Sequence, residues 1–508
     1  MGKTHPSTHN AAVYQKSLHL FPPVSGIMEH SRFHHYMKGR IRMIENKDAH
    51  LRALQNIFGK ERVLHEPLDC FGYSYDASPE ELDVAQTPDF VCKAHTTEEV
   101  SALLKYANAH KIPVVCRGTG SGRSGGSIPV QGGIVLSVDE MDQILELDEK
   151  NLMVRVQPGV RTKVLHEFCA DNGLYYPPEP SSYLYSTIGG NIAENAGGIR
   201  AVKYGVTSDY VVGLEVVLAN GDIIHTGGKL IKNVTGYNMT QLFVGSEGTL
   251  GIITEATLKV IGAPKVLKSA MASFRTVEDA CTAVGECLRS GVTPTAAELM
   301  DKLSCEATAK FNDFPIGADV GAMLVFDLDG ATEEICASDM ATLEAVCRAC
   351  GATSFTLAAD NAERTRLWSL RNKLSTAIKV LAPDRVGEDI TVPRSELPAI
   401  SKKIVEICNR YGFMVSIFGH AGDGNLHPSI LTDLSQPGMK ETVHDCVGEI
   451  FQAAVDCGGM LSGEHGIGIS KQPYIDIALE KTEIDASLLI KKALDPNNIL
   501  NPGKIFNR

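Results

Sequence analysis

Residues 117–126 read Arg117-Gly118-Thr119-Gly120-Ser121-Gly122-Arg123-Ser124-Gly125-Gly126. Taken alone, Gly120-x-Gly122-x-x-Gly125 matches a dinucleotide fingerprint, and Asp139 stands near where an acid would contact a ribose hydroxyl. The surroundings refuse that fold. A parallel βαβ unit needs a crossover of about ten residues or more, and only eight separate Gly125 from Ile134, among them Gly126, Pro129, Gly132 and Gly133. What fits is a loop from a strand over 112–116 to a strand over 133–138, with backbone N–H groups that bind a diphosphate as a nest.

Working outward, nearly half of the 47 glycines lie between Gly118 and Gly262. A second run is Thr187-Ile-Gly189-Gly190-Asn191-Ile-Ala-Glu-Asn195-Ala-Gly197-Gly198, and a third is Val244-Gly245-Ser246-Glu247-Gly248-Thr249-Leu250-Gly251-Ile252-Ile253. Three such runs close together suit one long, flat ligand. Apolar spacing predicts helices over 47–58, 97–108 and 163–172, and strands over 153–156, 211–218 and 252–260. At Ile261-Gly262-Ala263-Pro264 the glycine-rich pattern stops. Beyond it, alternating strands and helices, with strands over 322–328 and 414–418 and helices over 277–290 and 441–455, read as α+β rather than doubly wound.

The 508-residue chain carries 48 Lys+Arg against 61 Asp+Glu, a net charge of −13. With no basic block, nucleic acid is excluded as the main ligand. No run of 18 apolar residues exists, so no membrane span is expected. Residues 1–44 are biased toward basic residues but lack the apolar core of a secretory signal, and read as an N-terminal extension. Thirteen cysteines at irregular spacing read as reduced thiols in a cytoplasmic setting. Cys347 and Cys350 form a lone C-x-x-C on a helical stretch, which reads as core packing.

The motif Gly419-His420-Ala-Gly422-Asp423-Gly424-Asn425-Leu426-His427-Pro428 places two histidines on either side of a hairpin tip. With a carboxylate from elsewhere they suit a divalent ion such as Zn²⁺ or Mn²⁺, and Glu464, in Gly463-Glu464-His465-Gly466, is the candidate. Two histidines near a turn are as readily satisfied core groups, and spacing alone leaves both roles open. Arg371, in Trp368-Ser-Leu-Arg371-Asn-Lys-Leu-Ser375, offers a planar fork for a carboxylate, or is an ordinary helix-surface arginine.

The 117–126, 187–198 and 245–251 runs, with Pro177-Pro178-Glu179-Pro180-Ser181-Ser182, Lys203-Tyr204-Gly205 and Thr235-Gly236-Tyr237-Asn238, resemble the PCMH-type FAD-binding domain of the vanillyl-alcohol oxidase superfamily. More narrowly, they resemble its 2-hydroxy acid dehydrogenases: the glycolate oxidase D subunit, D-lactate dehydrogenase and D-2-hydroxyglutarate dehydrogenase. The resemblance implies an α+β protein with a two-subdomain FAD-binding domain over 45–265 and a substrate cap with a ferredoxin-like antiparallel sheet over 266–480. A segment over 481–508 returns to the flavin domain.

It further implies that FAD is held by Arg117, Gly118, Thr119, Gly120, Ser121, Gly122, Ser124, Gly125, Gly126, Pro178, Thr187, Gly189, Gly190, Asn191, Asn195, Gly197, Gly198, Tyr204, Gly205, Glu247, Gly248, Gly251, Ile252, Ile253 and Asn501. Ser121 stands where some members carry a flavin-linked His, so FAD is expected to be non-covalent. His420, His427 and Glu464 match the ligands of a divalent metal (Zn²⁺ or Mn²⁺, with Fe²⁺ a further option), and His465 matches the general base. Arg371 matches the substrate-carboxylate arginine, and Ser375 stands where some members have Thr. Gly387 replaces a substrate-binding lysine, which favours a small monocarboxylate.

The expected reaction is oxidation of glycolate or D-lactate. Electrons would leave to an iron–sulfur subunit, an electron-transferring flavoprotein or a quinone, with peripheral membrane association through that acceptor and a homodimer as the assembly considered. Two alternatives share the architecture: a non-redox alkyl-dihydroxyacetone-phosphate synthase, and a catalytically silent flavin relay subunit.

Overall fold

The computed structural model describes residues 46–78 and 87–506. The extension expected over 1–44 lies outside them. A first sheet has four strands in the order Val63–Leu64, Phe90–Lys93, Ile134–Ser137, Val114–Arg117. Its last two strands are consecutive in sequence yet parallel, and residues 118–133 join them without a helix. Such a crossover ordinarily contains a helix. Here the glycine run makes the return, which leaves its backbone exposed along the sheet's carboxyl edge.

The helix Thr97–His110 backs this sheet because its stripe of Val100, Leu103, Leu104 and Ala107 is apolar. Thr96 Oγ1 accepts from Glu99 N, and Glu98 and Glu99 complement the first-turn dipole. The carboxyl-terminal segment adds to the edge at Val114. Val114 N donates to Ile499 O at 2.7 Å and Asn501 N donates to Val114 O at 2.8 Å.

A second sheet is antiparallel, in the order Ile144–Asp148, Met153–Val156, Ile252–Lys259, Val211–Val217, Ile223–Gly227. Its inward residues Val154, Val156, Leu214 and Val216 pack with Leu165 and Ile192 from helices Thr162–Asp171 and Ile188–Glu194. Strand Ile261–Gly262 pairs with Leu174–Tyr175, and the next strand, Val266–Phe274, belongs to a third sheet.

That third sheet contains Ser354–Leu357, Val266–Phe274, Ala322–Gly330 and Ala296–Asp301 in this spatial order. With helices Val277–Arg289 and Glu333–Ala349 it forms the antiparallel ferredoxin-like split βαβ. Met414–His420, Asn425–Thr432 and Asp384–Gly387 extend it. Both faces are covered. Ala270, Ala272 and Phe274 enter one core with Leu343, Ile400 and Ile450, while Met271, Met323 and Phe418 enter another with Leu367, Trp368 and Leu374. Double coverage explains why Asn425–Thr432 is buried along its whole length.

Cys347 is fully buried in the first of these cores, and none of the thirteen cysteines forms a disulfide. Among the described residues no helix is long and apolar enough to cross a membrane.

Candidate active site

Two chambers meet at a common wall. The first is a cleft between the glycine runs. A side chain at Gly118 would place its Cβ 2.3 Å from Thr187 Oγ1, so the first and second runs approach as only backbone can. Gly120 has φ +69°, a left-handed conformation, and its Cβ would fall on the Arg117 guanidinium. Arg117 is folded beneath the loop, where its Nη1 donates to Tyr75 O at 2.6 Å.

The cleft is lined by Arg117, Gly118, Thr119, Gly120, Ser121, Gly122, Gly126, Thr187, Gly189, Gly190, Asn191, Glu247, Gly248, Gly251, Ile252 and Ile253. Val138 and Pro158 add apolar patches. Exposed loop backbone for a diphosphate beside narrow apolar walls for a flat ring system fits FAD.

Nine residues expected at the cofactor do not line this cleft, and eight have structural work that accounts for them. Ser124 Oγ donates to His465 O at 3.0 Å, and Ser124 O accepts from Ile469 N at 2.8 Å. Gly125 turns the loop at φ +75°. Pro178 O accepts from His166 Nε2. Asn195 ends its helix in the left-handed region, and its Oδ1 accepts from Ser208 N. At Gly198 a Cβ would strike Glu179 O. Tyr204 OH donates to the Asp329 carboxylate at 2.9 and 3.0 Å, and Gly205 ends the short helix Ala201–Tyr204. Asn501 Nδ2 ties Gly126 O to Glu247 O, at 2.8 and 2.7 Å. For the ninth, Gly197, a Cβ would lie 3.2 Å from Glu464 Oε2, so it faces the second chamber's wall.

The second chamber is lined by Arg371, Ser375, His420, His427, Glu464 and His465. Strands Met414–His420 and Asn425–Thr432 form the expected hairpin, with Phe418 opposite His427 and His420 opposite Asn425. His420 Nε2 and His427 Nε2 are 3.5 Å apart, and Glu464 Oε1 lies 3.6 Å from the first and 3.5 Å from the second. An ion bound at about 2.0–2.1 Å with tetrahedral angles needs donors roughly 3.4 Å apart. The triangle has that size, and two imidazoles with one carboxylate are a catalytic type of donor set.

Three buried charged groups that the sequence did not single out hold this arrangement. Glu298 Oε1 accepts from His420 Nδ1 at 2.6 Å, which presents Nε2 to the triangle, and Oε2 accepts from Arg371 Nε at 2.7 Å. Asp389 Oδ2 accepts from Ser462 Oγ and from the backbone N–H groups of Gly463, Glu464 and His465, at 2.7–3.1 Å. Lys471 Nζ donates to the same oxygen at 3.2 Å. Burial works against the charge on Asp389, but the Lys471 ammonium and the hydrogen bond from the His465 backbone N–H outweigh it and hold its carboxyl well below the usual range.

From the flavin side, Glu247 Oε1 and Oε2 accept from Ile467 N and Gly468 N at 2.7 and 2.8 Å. Glu247 therefore touches the cleft and clamps the loop carrying Glu464 and His465. Burial lowers the pKa of both His427 and His465, leaving the neutral imidazoles that a ligand and a base require. Glu464 and His465 line both chambers.

The fold is shared with p-cresol methylhydroxylase (TM-score 0.73, 20% identity, 91% of this chain and 98% of that one). It is also shared with alkyldihydroxyacetonephosphate synthase (TM-score 0.71, 19% identity, 91% and 86%). Residues 88–227 match the FAD binding domain family, and residues 263–505 match the C-terminal domain of FAD linked oxidases. The protein is thus a flavoenzyme of the vanillyl-alcohol oxidase architecture, and within it the chain belongs to the FAD-linked oxidase family. Glycolate oxidase subunit GlcD of Bacillus subtilis is 44% identical over 434 residues, 85% of this chain and 92% of its own. The Escherichia coli K12 GlcD is 36% identical over 455 residues, 89% and 90%. A D-lactate dehydrogenase of Anaerostipes hadrus is 37% identical over 425 residues, 82% and 89%.

Proposed function

We propose that the chain catalyses FAD-dependent oxidation of a short D-2-hydroxy acid to the 2-oxo acid, with glycolate and D-lactate as the simplest substrates. The observation that carries this reading is the shared wall. A substrate held in the second chamber has the base on the side that faces the flavin cleft. Arg371 spends Nε on Glu298 and keeps its terminal N–H groups for the carboxylate, and Ser375 lines the same chamber. His465, neutral and held by Asp389 through its backbone, accepts the hydroxyl proton. FAD held in the glycine-lined cleft would supply the hydride acceptor, and a divalent ion held by His420, His427 and Glu464 would supply a Lewis acid for the substrate hydroxyl.

The relatives named glycolate oxidase and D-lactate dehydrogenase support this substrate class. Ser121 offers no imidazole for a covalent flavin link, so acid precipitation should release free FAD. The electron acceptor is external, an iron–sulfur subunit, an electron-transferring flavoprotein or a quinone. In this reading residues 45–265 form the flavin domain, 266–480 the cap, and 481–508 the returning segment. The protein works in the cytoplasm, at the membrane surface where its acceptor requires.

The test is anaerobic bleaching of the flavin by D- and L-2-hydroxy acids. D-lactate or glycolate should bleach it rapidly, and His465→Ala should keep the yellow colour but lose bleaching. Wild-type flavin that no hydroxy acid reduces would remove the reading.

A further inference from the structure

Five arginines line the substrate chamber: Arg123, Arg200, Arg364, Arg371 and Arg385. Three are neutralised by protein. Arg200 pairs with Glu179 at 2.8 Å, Arg364 with Asp327 at 3.0 Å and Arg371 with Glu298 at 2.7 Å. Among the described residues, Arg123 and Arg385 have no carboxylate partner. Arg385 Nε donates to the neutral Ser429 Oγ at 3.0 Å. Its Cζ lies 5.7 Å from the centre of the Phe418 ring, over which Arg371 lies at 5.0 Å. Burial, then the fields of Arg123 and Arg371, lower its pKa to about 10. A half-buried cation set beside two others is costly unless an anion joins it.

Gly387 bears directly on this. Arg385 and Gly387 sit two apart on the strand Asp384–Gly387, on one face, and a Cβ at Gly387 would lie 3.0 Å from the Arg385 guanidinium. The missing side chain makes room for that guanidinium. The room left at Gly387 is thus occupied by a cation from two residues earlier on the strand.

We propose that Arg385, backed by Arg123, receives a second carboxylate of the substrate, so that short 2-hydroxydicarboxylates are preferred over D-lactate and glycolate. This rests on the proposed oxidation, with Arg371 on the carboxylate next to the reacting carbon and Arg385 on the distal one. An arginine fork on each carboxylate holds the dianion between the two guanidinium groups that share the Phe418 ring, and Arg385 with Arg123 supplies the positive charge that, among the described residues, no protein carboxylate balances.

The experiment compares kcat/KM for (R)-malate, (R)-2-hydroxyglutarate and D-lactate in the FAD- and metal-loaded enzyme with an artificial acceptor. At least one dicarboxylate should exceed D-lactate tenfold or more. Arg385→Met should erase that ratio, chiefly through KM, and Arg385→Lys should restore part of it, with FAD content confirming that each variant is folded. A ratio near one in the wild type, or a ratio unchanged in Arg385→Met, overturns the proposal. If no hydroxy acid is oxidised, the reaction reading fails on its own. The subsite is then read from flavin spectral shifts on binding oxaloacetate against pyruvate: tenfold tighter oxaloacetate binding that depends on Arg385 upholds it, and equal affinities overturn it.

Discussion

The flavin cleft is walled by backbone, and a single Cβ on Gly118 would collide with Thr187. Across Glu464 and His465, the residues that line the substrate chamber are backed by charge withdrawn from water. Glu298 and Asp389 are fully buried and Lys471 is 3% exposed. The first chamber makes its fit by leaving side chains out, and the second by burying ionised side chains in a closed network. The two should therefore fail in opposite ways: the cleft when an atom is added, the chamber when one is taken away.

The largest effect should come from removing Asp389. Asp389→Ala strips the acceptor from three consecutive backbone N–H groups and leaves Lys471 buried without its counter-charge. Breaking one side of a buried pair costs about 3–5 kcal/mol. Denaturant unfolding should show a loss of that size, and turnover should fall by about three decades as Glu464 and His465 lose their support. Asp389→Asn keeps the shape but cannot accept so many donors, and should lie between. Should Asp389→Asn turn over within tenfold of wild type, the chamber does not depend on buried charge and the contrast collapses.

Second in size is an addition to the cleft. Gly118→Ala meets Thr187 Oγ1 at 2.3 Å, with its Cγ2 and Cβ at 3.2 and 3.3 Å. Thr187 cannot rotate away cheaply, because its Oγ1 accepts from Gly190 N as the cap of helix Ile188–Glu194. The purified variant should be folded, nearly colourless and bind added FAD at least a hundredfold more weakly. Ser121→Ala, a removal from the same loop, should change FAD affinity by less than tenfold. Equal losses from both variants would show that the cleft also relies on side chains.

Third comes Glu298→Gln, which preserves volume and removes the charge facing His420 and Arg371. Outer-shell partners of metal ligands typically contribute 10–100-fold in affinity or activity. Metal titration by calorimetry should show a loss in that range, accompanied by a higher KM. A raised KM with unchanged metal affinity would assign Glu298 to Arg371 alone.

Legibility follows the same division. The glycine runs and the His-x6-His hairpin are written within a few consecutive residues, so the cleft and the triangle of His420, His427 and Glu464 could be approached from sequence. The absent crossover helix was legible too, because eight residues cannot hold it. Glu298 lies 122 residues from His420, and Asp389 lies 82 from Lys471, distances over which no local pattern connects them. Glu298 offers one local signal, an acid inside the apolar strand Ala296–Asp301, whereas Asp389 stands in the break before the short strand Ile390–Thr391 and offers none. Arg385 meets Arg371 over the Phe418 ring from 14 residues further along the chain, again with no local pattern to join them. Tyr204, Gly205 and Asn501 belong to real motifs, but their polar atoms and turns serve Asp329, a helix end and the loop junction.

That junction provides the smallest test, at the point where the two ways of building meet. Asn501 Nδ2 donates to Gly126 O in the first glycine run and to Glu247 O in the third, and Lys504 Nζ donates to Asn501 Oδ1 and Ile128 O. Asn501→Ala removes two donors and leaves two buried carbonyls short of a partner, at about 1–3 kcal/mol for each unsatisfied group. Small shifts of the two runs would offset part of that. The side chain touches the cleft only through backbone it positions, so thermal unfolding should fall by a few degrees while FAD affinity changes by less than tenfold. Glu247 keeps its clamp on Ile467 and Gly468 in this variant, so turnover of the FAD-saturated enzyme should stay within about threefold. A larger loss of turnover than of stability would mean that the tail also sets the loop carrying His465, and that the two chambers are one mechanical unit.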